Sequence, residues 1–254
     1  MPHRLVILGR SDDTTRALYH RLGSRFDVPL VILEEKVPAR VVFRRRCRNL
    51  GLVPAIGQAL FVLLAQPALA RVARGRIETL KRACDLPDHP LPPERVHHTT
   101  SVNDPSVPAR VREAGATHVI VNGTRLLSRA TLEAIDVPII NLHLGWNPRY
   151  RGGNGAYWAL AEGDPEHAGV TVHLIDEGID TGGVLARARI APTHDDSFAT
   201  YPWLQLAAGI DALTTLLQQG TLPAPLDTSS EPSGMWYHPT LWGYLGRRVR
   251  LGVK

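Results

Sequence analysis

The alternation of strands and helices up to about residue 143 is the feature that most constrains the fold. Short runs rich in Val, Ile and Leu, such as "RLVILG" and "THVIVNG", are followed by polar turns and by segments with helical spacing. Apolar runs of this length are typical of buried strands, and regular alternation with helices favours a parallel sheet with crossover helices. The sequence therefore predicts an α/β fold with a mostly parallel sheet, in which ligands bind beyond the carboxyl ends of the strands.

Two further strands and a long helix complete the predicted domain. "AGVTVHLID" and "GGVLARARIAP" alternate more clearly than the earlier strands, which favours strands antiparallel to the rest. The helix that follows ends at Gly220, a typical helix stop. We therefore expect one domain over residues 1–220 and an aromatic and basic tail, residues 221–254, that packs on it as an extended segment.

An insertion at residues 37–94 interrupts the alternation between the second and third strands with two or three predicted helices. Such a segment is not needed to connect neighbouring parallel strands. Basic residues crowd around its start: Lys36, Arg40, Arg44, Arg45, Arg46 and Arg48. This cluster suits an anionic partner, although a solvated helix face produces the same pattern.

The run from Leu52 to Ala70 inside the insertion is apolar enough to be compared with a membrane span. A span needs about 20 mostly uninterrupted apolar residues. This run is interrupted by Pro54, Gly57, Gln58, Gln66 and Pro67, which disfavours a spanning helix. Two alternatives stay open: a helical hairpin that packs on the domain or on a second subunit, as in a homodimer, and peripheral attachment to a membrane through arginines and leucines.

The composition favours an ordinary globular protein in a reducing compartment. The chain of 254 residues is 44% hydrophobic and 21% charged, with a net charge of +5. Cys47 and Cys84 form no CxxC pattern, so we expect neither a disulfide framework nor a secreted protein, and the cytoplasm is the expected location. His97 and His98 lack a second ligand pair, so no metal site is expected.

Polar side chains at the exit of the fifth strand indicate a catalytic site. Asn141 and His143 share one face of "VPIINLHLG", and "DEGIDTGG" later places Asp180 in a glycine-rich loop. An amide can donate to a developing oxyanion, an imidazole can exchange protons near neutral pH, and a carboxylate can orient or charge the imidazole. No Ser or Cys lies in a nucleophile elbow, so direct transfer between two bound substrates fits better than a covalent intermediate.

The segment "NLHLGWNPRYRGGNGAYWALAEGDPEHAGVTVHLIDEGIDTGGVL" resembles the folate-dependent formyltransferase family. That family includes the glycinamide ribonucleotide, methionyl-tRNA and sugar N-formyltransferases. The shared pattern is Asn-x-His, a proline-bearing loop, a helix, a Gly-Val-Thr-x-His strand and an Asp-x-Gly-x-Asp-x-Gly loop. The resemblance implies a Rossmann-like formyltransferase fold with residues 1–220 as the catalytic domain, and 10-formyltetrahydrofolate as the formyl donor.

The same resemblance assigns roles to residues. It implies that Asn141, His143 and Asp180 are catalytic. Folate contacts are expected from two loops, and these residues are Arg125, Leu126, Leu127, Asp176, Glu177, Gly178 and Ile179. Acceptor contacts are expected where the chain departs from better-known relatives, at Asp12, Asp13, Trp146, Arg149, Tyr150 and Arg151, and also at His173. His173 matches a family histidine near the site, although a strand histidine with satisfied hydrogen bonds is the alternative.

The expected activity is N-formylation of a primary amine on a small biosynthetic substrate, such as an amino sugar or a nucleotide-linked amino sugar. In the expected mechanism Asn141 and a protonated His143 stabilise the oxyanion of a tetrahedral intermediate, and Asp180 accepts the amine's proton. The alternatives are hydrolysis of the formylfolate and a non-catalytic folate- or membrane-binding module. Only residues 221–254 follow Gly220, too few for the C-terminal barrel of methionyl-tRNA formyltransferases, so tRNA is not the expected acceptor.

Overall fold

Seven strands form the central sheet of the computed structural model, which describes residues 3–254. They are β1 (Arg4–Arg10), β2 (Asp27–Glu34), β3 (Val96–Thr99), β4 (His118–Val121), β5 (Ile139–His143), β7 (Gly169–Leu174) and β8 (Val184–Arg189). Two short strands, β6 (Arg151–Gly152) and β9 (Met235–Trp236), form a second sheet. The order across the central sheet is β3-β2-β1-β4-β5-β7-β8. Strands β1 to β5 are parallel to one another, whereas β7 pairs antiparallel with β5 and β8 pairs antiparallel with β7. The predicted α/β fold, its mostly parallel sheet and its antiparallel strands are confirmed.

Helices cover both faces of this sheet. They are α1 (Asp13–Gly23), α2 (Ala39–Leu50), α3 (Leu52–Leu60), α4 (Gln66–Val72), α5 (Arg74–Ala83), α6 (Ser106–Glu113), α7 (Arg129–Ala134), α8 (Gly155–Ala161), α9 (Tyr201–Gln218) and α10 (Leu241–Leu251). Leu5 and Ile7 of β1 pack in the cluster that includes α1 and α9, whereas Val6 and Leu8 pack in the cluster that includes α6. A strand that is buried on both faces has no polar face, which explains the continuous apolar runs in the sequence.

The insertion between β2 and β3 is helical throughout most of its length. Helix α2 is followed by a continuous helical run, Leu52–Val72, in which Phe61–Ala65 is π-helical, and then by α5. Pro67 is tolerated because it lies in the first turn of α4, directly after the π-helical segment. Among residues 3–254, this run is the one helix long and apolar enough to cross a membrane, and 22% of its most apolar window is buried.

The tail differs in part from the extended segment that the sequence predicts. It contains the short strand β9 and a regular helix, α10, whose N-cap Thr240 accepts a hydrogen bond from the backbone N–H of Gly243. Glycines at 243 and 246 weaken the helical pattern in "LWGYLGRRVRL". Packing compensates for this weakness, because Tyr244 is buried against Phe61 in an aromatic cluster.

We predict that Gly57→Ala destabilises the protein, because Gly57 lies where α3 meets the start of α10. A Cβ at this position would lie 2.7 Å from the Cβ of Thr240 and in contact with the Trp242 ring. Overpacking of this kind typically costs about 1–3 kcal/mol of unfolding free energy. Urea unfolding followed by circular dichroism measures the change.

Gly75→Ala is the matched control, because Gly75 is also helical and a Cβ there meets nothing within 4 Å. This variant should be neutral or more stable by up to about 1 kcal/mol, from helix propensity alone. Equal stability of the two variants would contradict the packing of α10 on α3.

Candidate active site

The register of the sheet brings the predicted catalytic residues together. On β5, Asn141 and His143 point to the same face, and His143 is the last residue of the strand. Asn141 lies directly opposite His173 of the antiparallel strand β7. Asp180 follows β7, and its Oδ1 lies 3.3 Å from Nδ2 of Asn141 and 3.4 Å from Nδ1 of His143. Three residue types that were expected to act together therefore meet at one carboxylate oxygen.

The loop before β8 holds Asp180 in a fixed orientation. Asp180 has φ +53°, a left-handed conformation that Asp adopts more readily than most residues. Earlier in the loop, Oδ1 of Asp176 accepts hydrogen bonds from the N–H of Gly178 (3.0 Å) and the hydroxyl of Thr181 (2.7 Å). The loop is thus folded by its own side chains, and Asp176 has a structural role in it.

The second oxygen of Asp180 is bound by the small β6–β9 sheet. Its Oδ2 accepts a hydrogen bond of 3.0 Å from the N–H of Gly152 in β6. Gly152 has φ +89°, and a Cβ there would collide with the carbonyl oxygen of Trp236 in β9. Only glycine fits both requirements. The tail therefore supports the carboxylate of Asp180 through the backbone of Gly152.

Asp180 is ionised at physiological pH. Burial raises the pKa of this carboxyl, but the neighbouring His143 and His173 and a hydrogen bond from the N–H of Gly152 outweigh the burial and lower the pKa to about 2. A buried carboxylate with this pKa stays negative and keeps its hydrogen bonds across the pH range in which enzymes work.

Hydrogen bonding and burial have opposing effects on the pKa of His143. Its Nε2 lies 3.1 Å from the carbonyl oxygen of Tyr150 and its Nδ1 faces Asp180, so both ring nitrogens face oxygen acceptors. This geometry favours the charged imidazolium. Burial nevertheless lowers the pKa of His143 by more than Asp180 and the Tyr150 carbonyl raise it. Geometry and burial therefore act in opposite directions on the protonation of His143, and the protonated state in the expected mechanism stays a prediction.

His173 orients the amide of Asn141. Its Nδ1 donates to the carbonyl of Leu174 (2.7 Å), which leaves Nε2 as the acceptor that faces Nδ2 of Asn141 at 3.1 Å. The two N–H bonds of the amide are thus directed at His173 and Asp180. A charged oxygen atom can bind this amide only if one of these two bonds is exchanged for it.

A cavity of about 1040 Å³ opens above this cluster. Its floor contains Asn141, His143 and Asp180, and its sides are formed by residues 123–127 and by Gly178 and Ile179 of the loop before β8. A site of this size accommodates a large ligand or two smaller ones. The cavity lies beyond the carboxyl end of β5, where the fold predicts a ligand.

Comparison with known proteins identifies the family. The model of the formyl transferase family matches residues 73–203, which is more than half of the 254 residues. The chain belongs to the formyl transferase family. The methionyl-tRNA formyltransferase of Burkholderia orbicola is 42% identical over 99 residues, a stretch that covers 36% of this chain and 30% of that relative. The chain thus aligns with less than a third of that protein's length.

Solved structures of formyl transferases share the fold. The phosphoribosylglycinamide formyltransferase of Anaplasma phagocytophilum superposes with a TM-score of 0.57 and 15% identity, covering 92% of this chain and 98% of that one. A sugar N-formyltransferase from Shewanella superposes with a TM-score of 0.54 and 15% identity, covering 92% and 76%. The predicted Rossmann-like formyltransferase fold is confirmed.

The loop at residues 123–127 is anchored by a carboxylate that sequence reasoning missed. The buried side chain of Glu34 accepts hydrogen bonds from the N–H groups of Val102 (2.9 Å) and Arg125 (3.0 Å), and also binds the Arg125 guanidinium at 2.5 Å. The Arg125 side chain is therefore used to fix the loop. Leu126 is exposed at the cavity and Leu127 is mostly buried.

Several predicted site residues have partners away from the cavity. Asp12 caps α1, Asp13 binds Arg16 and Lys81, and Glu177 is exposed and lies 3.5 Å from Arg129. Trp146 packs beside Arg187, Arg149 and the Tyr150 hydroxyl bind Asp164, and Arg151 donates to the carbonyl of Ile179. Among the predicted acceptor contacts, His173 alone lines the cavity. The other six lie outside its lining.

Helix α2 of the insertion supplies cavity walls that were not assigned to the site. It contributes Val41, Val42, Arg45, Arg46, Asn49 and Leu50, and the lining also includes Arg10, Lys36, Asn154 and Tyr237. The "RRRCR" cluster was a signal for an anionic partner, but its sequence position could not show which surface it faces. The lining of the cavity therefore includes several basic residues as well as Asp180.

We predict that acidification destabilises the protein through His238. Burial, with a contribution from Arg46, lowers the pKa of His238 to about 4, and its Nδ1 faces the amide of Asn154 at 3.2 Å. Between the unfolded value of about 6.5 and pH 4 the unfolded chain binds more protons, so this stabilisation is complete above pH 6.5 and is lost as the pH falls.

Urea midpoints measured at pH 7.5 and pH 5 test this prediction. The drop between the two pH values should be smaller for His238→Gln than for the wild type. His194→Gln, at an exposed position, should leave the drop unchanged. An identical pH dependence for His238→Gln and the wild type would rule out the assignment.

Proposed function

We propose that the protein transfers the formyl group of 10-formyltetrahydrofolate directly to the primary amine of a small substrate. The observation that carries this proposal is the convergence of Asn141, His143 and Asp180 on the floor of one large cavity. Membership of the formyl transferase family supports the same chemistry. The proposal does not extend to tRNA, although methionyl-tRNA formyltransferases are among the relatives.

The roles of the three residues follow from their hydrogen-bonding capacity. An amine nitrogen attacks the formyl carbon, and negative charge develops on the formyl oxygen. The amide of Asn141 donates to that oxygen after exchanging one of its resting bonds. His143 and Asp180 take up the proton that the amine releases, and His143 can return it to the leaving nitrogen. In the whole transfer, the C–N bond to the amine forms, the C–N bond to the folate nitrogen breaks, and one proton moves from the amine nitrogen to the folate nitrogen.

The residues of the cavity fit a formylfolate, which supplies the formyl group when it is bound. The backbone of residues 123–127 offers peptide groups for a flat heterocycle, and Leu126 and Ile175 offer apolar contacts. Arg45 and Arg46 provide positive charge for the carboxylates of a folate or for an anionic acceptor.

The basic wall of the cavity supports an acceptor that carries negative charge as well as an amine. Arg10, Lys36, Arg45 and Arg46 line the cavity, whereas its acidic lining is Asp176 and Asp180. An amino sugar linked to a nucleotide combines a primary amine with phosphates and meets this requirement. We propose this class of acceptor, in a biosynthetic role. The cytoplasmic location also stays a proposal, with which the free thiols of Cys47 and Cys84 are compatible.

We predict that Asn141→Ala lowers turnover by about 10²–10³-fold, because it removes the amide that donates to the oxyanion. The change deletes a half-buried polar group, so the variant should fold, as circular dichroism would show. Near-normal formyl transfer by a folded Asn141→Ala protein would show that the oxyanion is bound elsewhere.

Incubation with formylfolate and a panel of amino sugars and their nucleotide conjugates, followed by folate absorbance, tests the activity itself. Turnover that depends on the amine supports transfer. Turnover without any amine would indicate a formyltetrahydrofolate hydrolase. Folate binding without turnover across the panel would indicate a binding module.

A further inference from the structure

The insertion exposes an apolar surface that no part of the described chain covers. We name this surface the insertion face, and its residues are Phe43, Leu52, Val53, Ile56, Leu63, Leu64 and Val72. Leu63 and Leu64 are 69% and 59% exposed. The residues between Leu52 and Leu64 lie along one side of the helical run, because their spacing follows the helical repeat.

The opposite side of the same helical run packs on the domain. Ala55, Gly57, Gln58 and Phe61 are buried, and Gly57 lies against Trp242 of α10. The helix is therefore fixed in place, and its exposed side is as apolar as its buried side. Single exposed leucines are common on soluble proteins, but a contiguous exposed stripe marks an interaction surface.

The charge of the surrounding residues specifies the partner. Residues 36–77 contain neither Asp nor Glu, and their basic residues are Lys36, Arg40, Arg44, Arg45, Arg46, Arg48, Arg71, Arg74 and Arg76. Arg40, Arg44, Arg45 and Arg48 line an open groove along the outer side of α2. A surface of this composition is complementary to the anionic headgroups and apolar interior of a lipid bilayer.

Two other occupants fit less well. In a symmetric dimer the same patch meets itself, so a basic segment without carboxylates would bring like charges together. A spanning helix would have to withdraw Phe61 from its contacts with Phe198 and Tyr244 in the aromatic cluster. Binding at the surface requires neither change.

We propose that the insertion face docks on the surface of an anionic lipid bilayer, with the arginines of α2 on the headgroups and Leu63 and Leu64 in the outer apolar layer. Val41 and Arg45 line both the outer groove and the catalytic cavity. Docking therefore holds the cavity next to the membrane.

Co-sedimentation of the whole protein with phosphatidylcholine vesicles, with and without phosphatidylglycerol, tests the proposal. We expect binding to the anionic vesicles that weakens at about 1 M salt, where the Debye length is about 3 Å. The double variants Leu63→Gln/Leu64→Gln and Arg44→Gln/Arg48→Gln should each bind roughly tenfold or more weakly. The controls Leu226→Gln and Arg112→Gln/Arg129→Gln, at exposed positions outside the insertion, should bind like the wild type.

Three results would overturn the proposal. The first is absence of binding to anionic vesicles at low salt. The second is a dimer, seen by analytical ultracentrifugation, that Leu63→Gln/Leu64→Gln dissociates, since a second copy would then cover the insertion face. The third is protein that stays in cell membranes after washes at high salt and alkaline pH, as a spanning helix would.

Discussion

The carboxylate of Asp180 is the interaction on which the rest of the site depends. It binds β5 through Asn141 and His143, and the tail-supported strand β6 through the N–H of Gly152. Without it, Asn141 and His143 would lose a polar partner at the edge of the core, which typically costs about 1–3 kcal/mol for each buried group. The bonds that stabilise this corner of the fold are therefore the same bonds that order the groups we propose to be catalytic.

The sequence contained the strands and the catalytic residues but not the support around them. Asn141 and His143 could be placed on one face because a strand has a period of two, and Asp180 could be added because its glycine-rich loop is distinctive. The bond from Gly152 to Asp180 could not be predicted, because every residue except proline has an N–H group and its partner depends on the tertiary fold. The role of Glu34, which anchors the loop at residues 123–127, could not be predicted either, since Glu34 lies at the end of an otherwise apolar strand and its partners depend on the tertiary fold.

The insertion illustrates a second limit of sequence reasoning. Its helices, its positive charge and its apolar run were all predicted, and the two or three helical segments are present as α2, the run Leu52–Val72 and α5. Their placement was not predictable, because it is set by contacts between α3 and α10, which are far apart in the chain. Residues of α2 line the same cavity as Asn141 and His143. The sequence left open what the insertion contacts, and in the structure its first helix forms part of the cavity wall.

The β6–β9 sheet pairs only two residues on each strand, although it determines the position of Asp180. So short a pairing can open without disturbing the seven-stranded sheet, since local opening costs less than global unfolding. Loss of activity and loss of structure would then be separate events. In mild denaturant the protein would become inactive while its circular dichroism spectrum stays native, and removal of the denaturant would restore activity as fast as β9 pairs again.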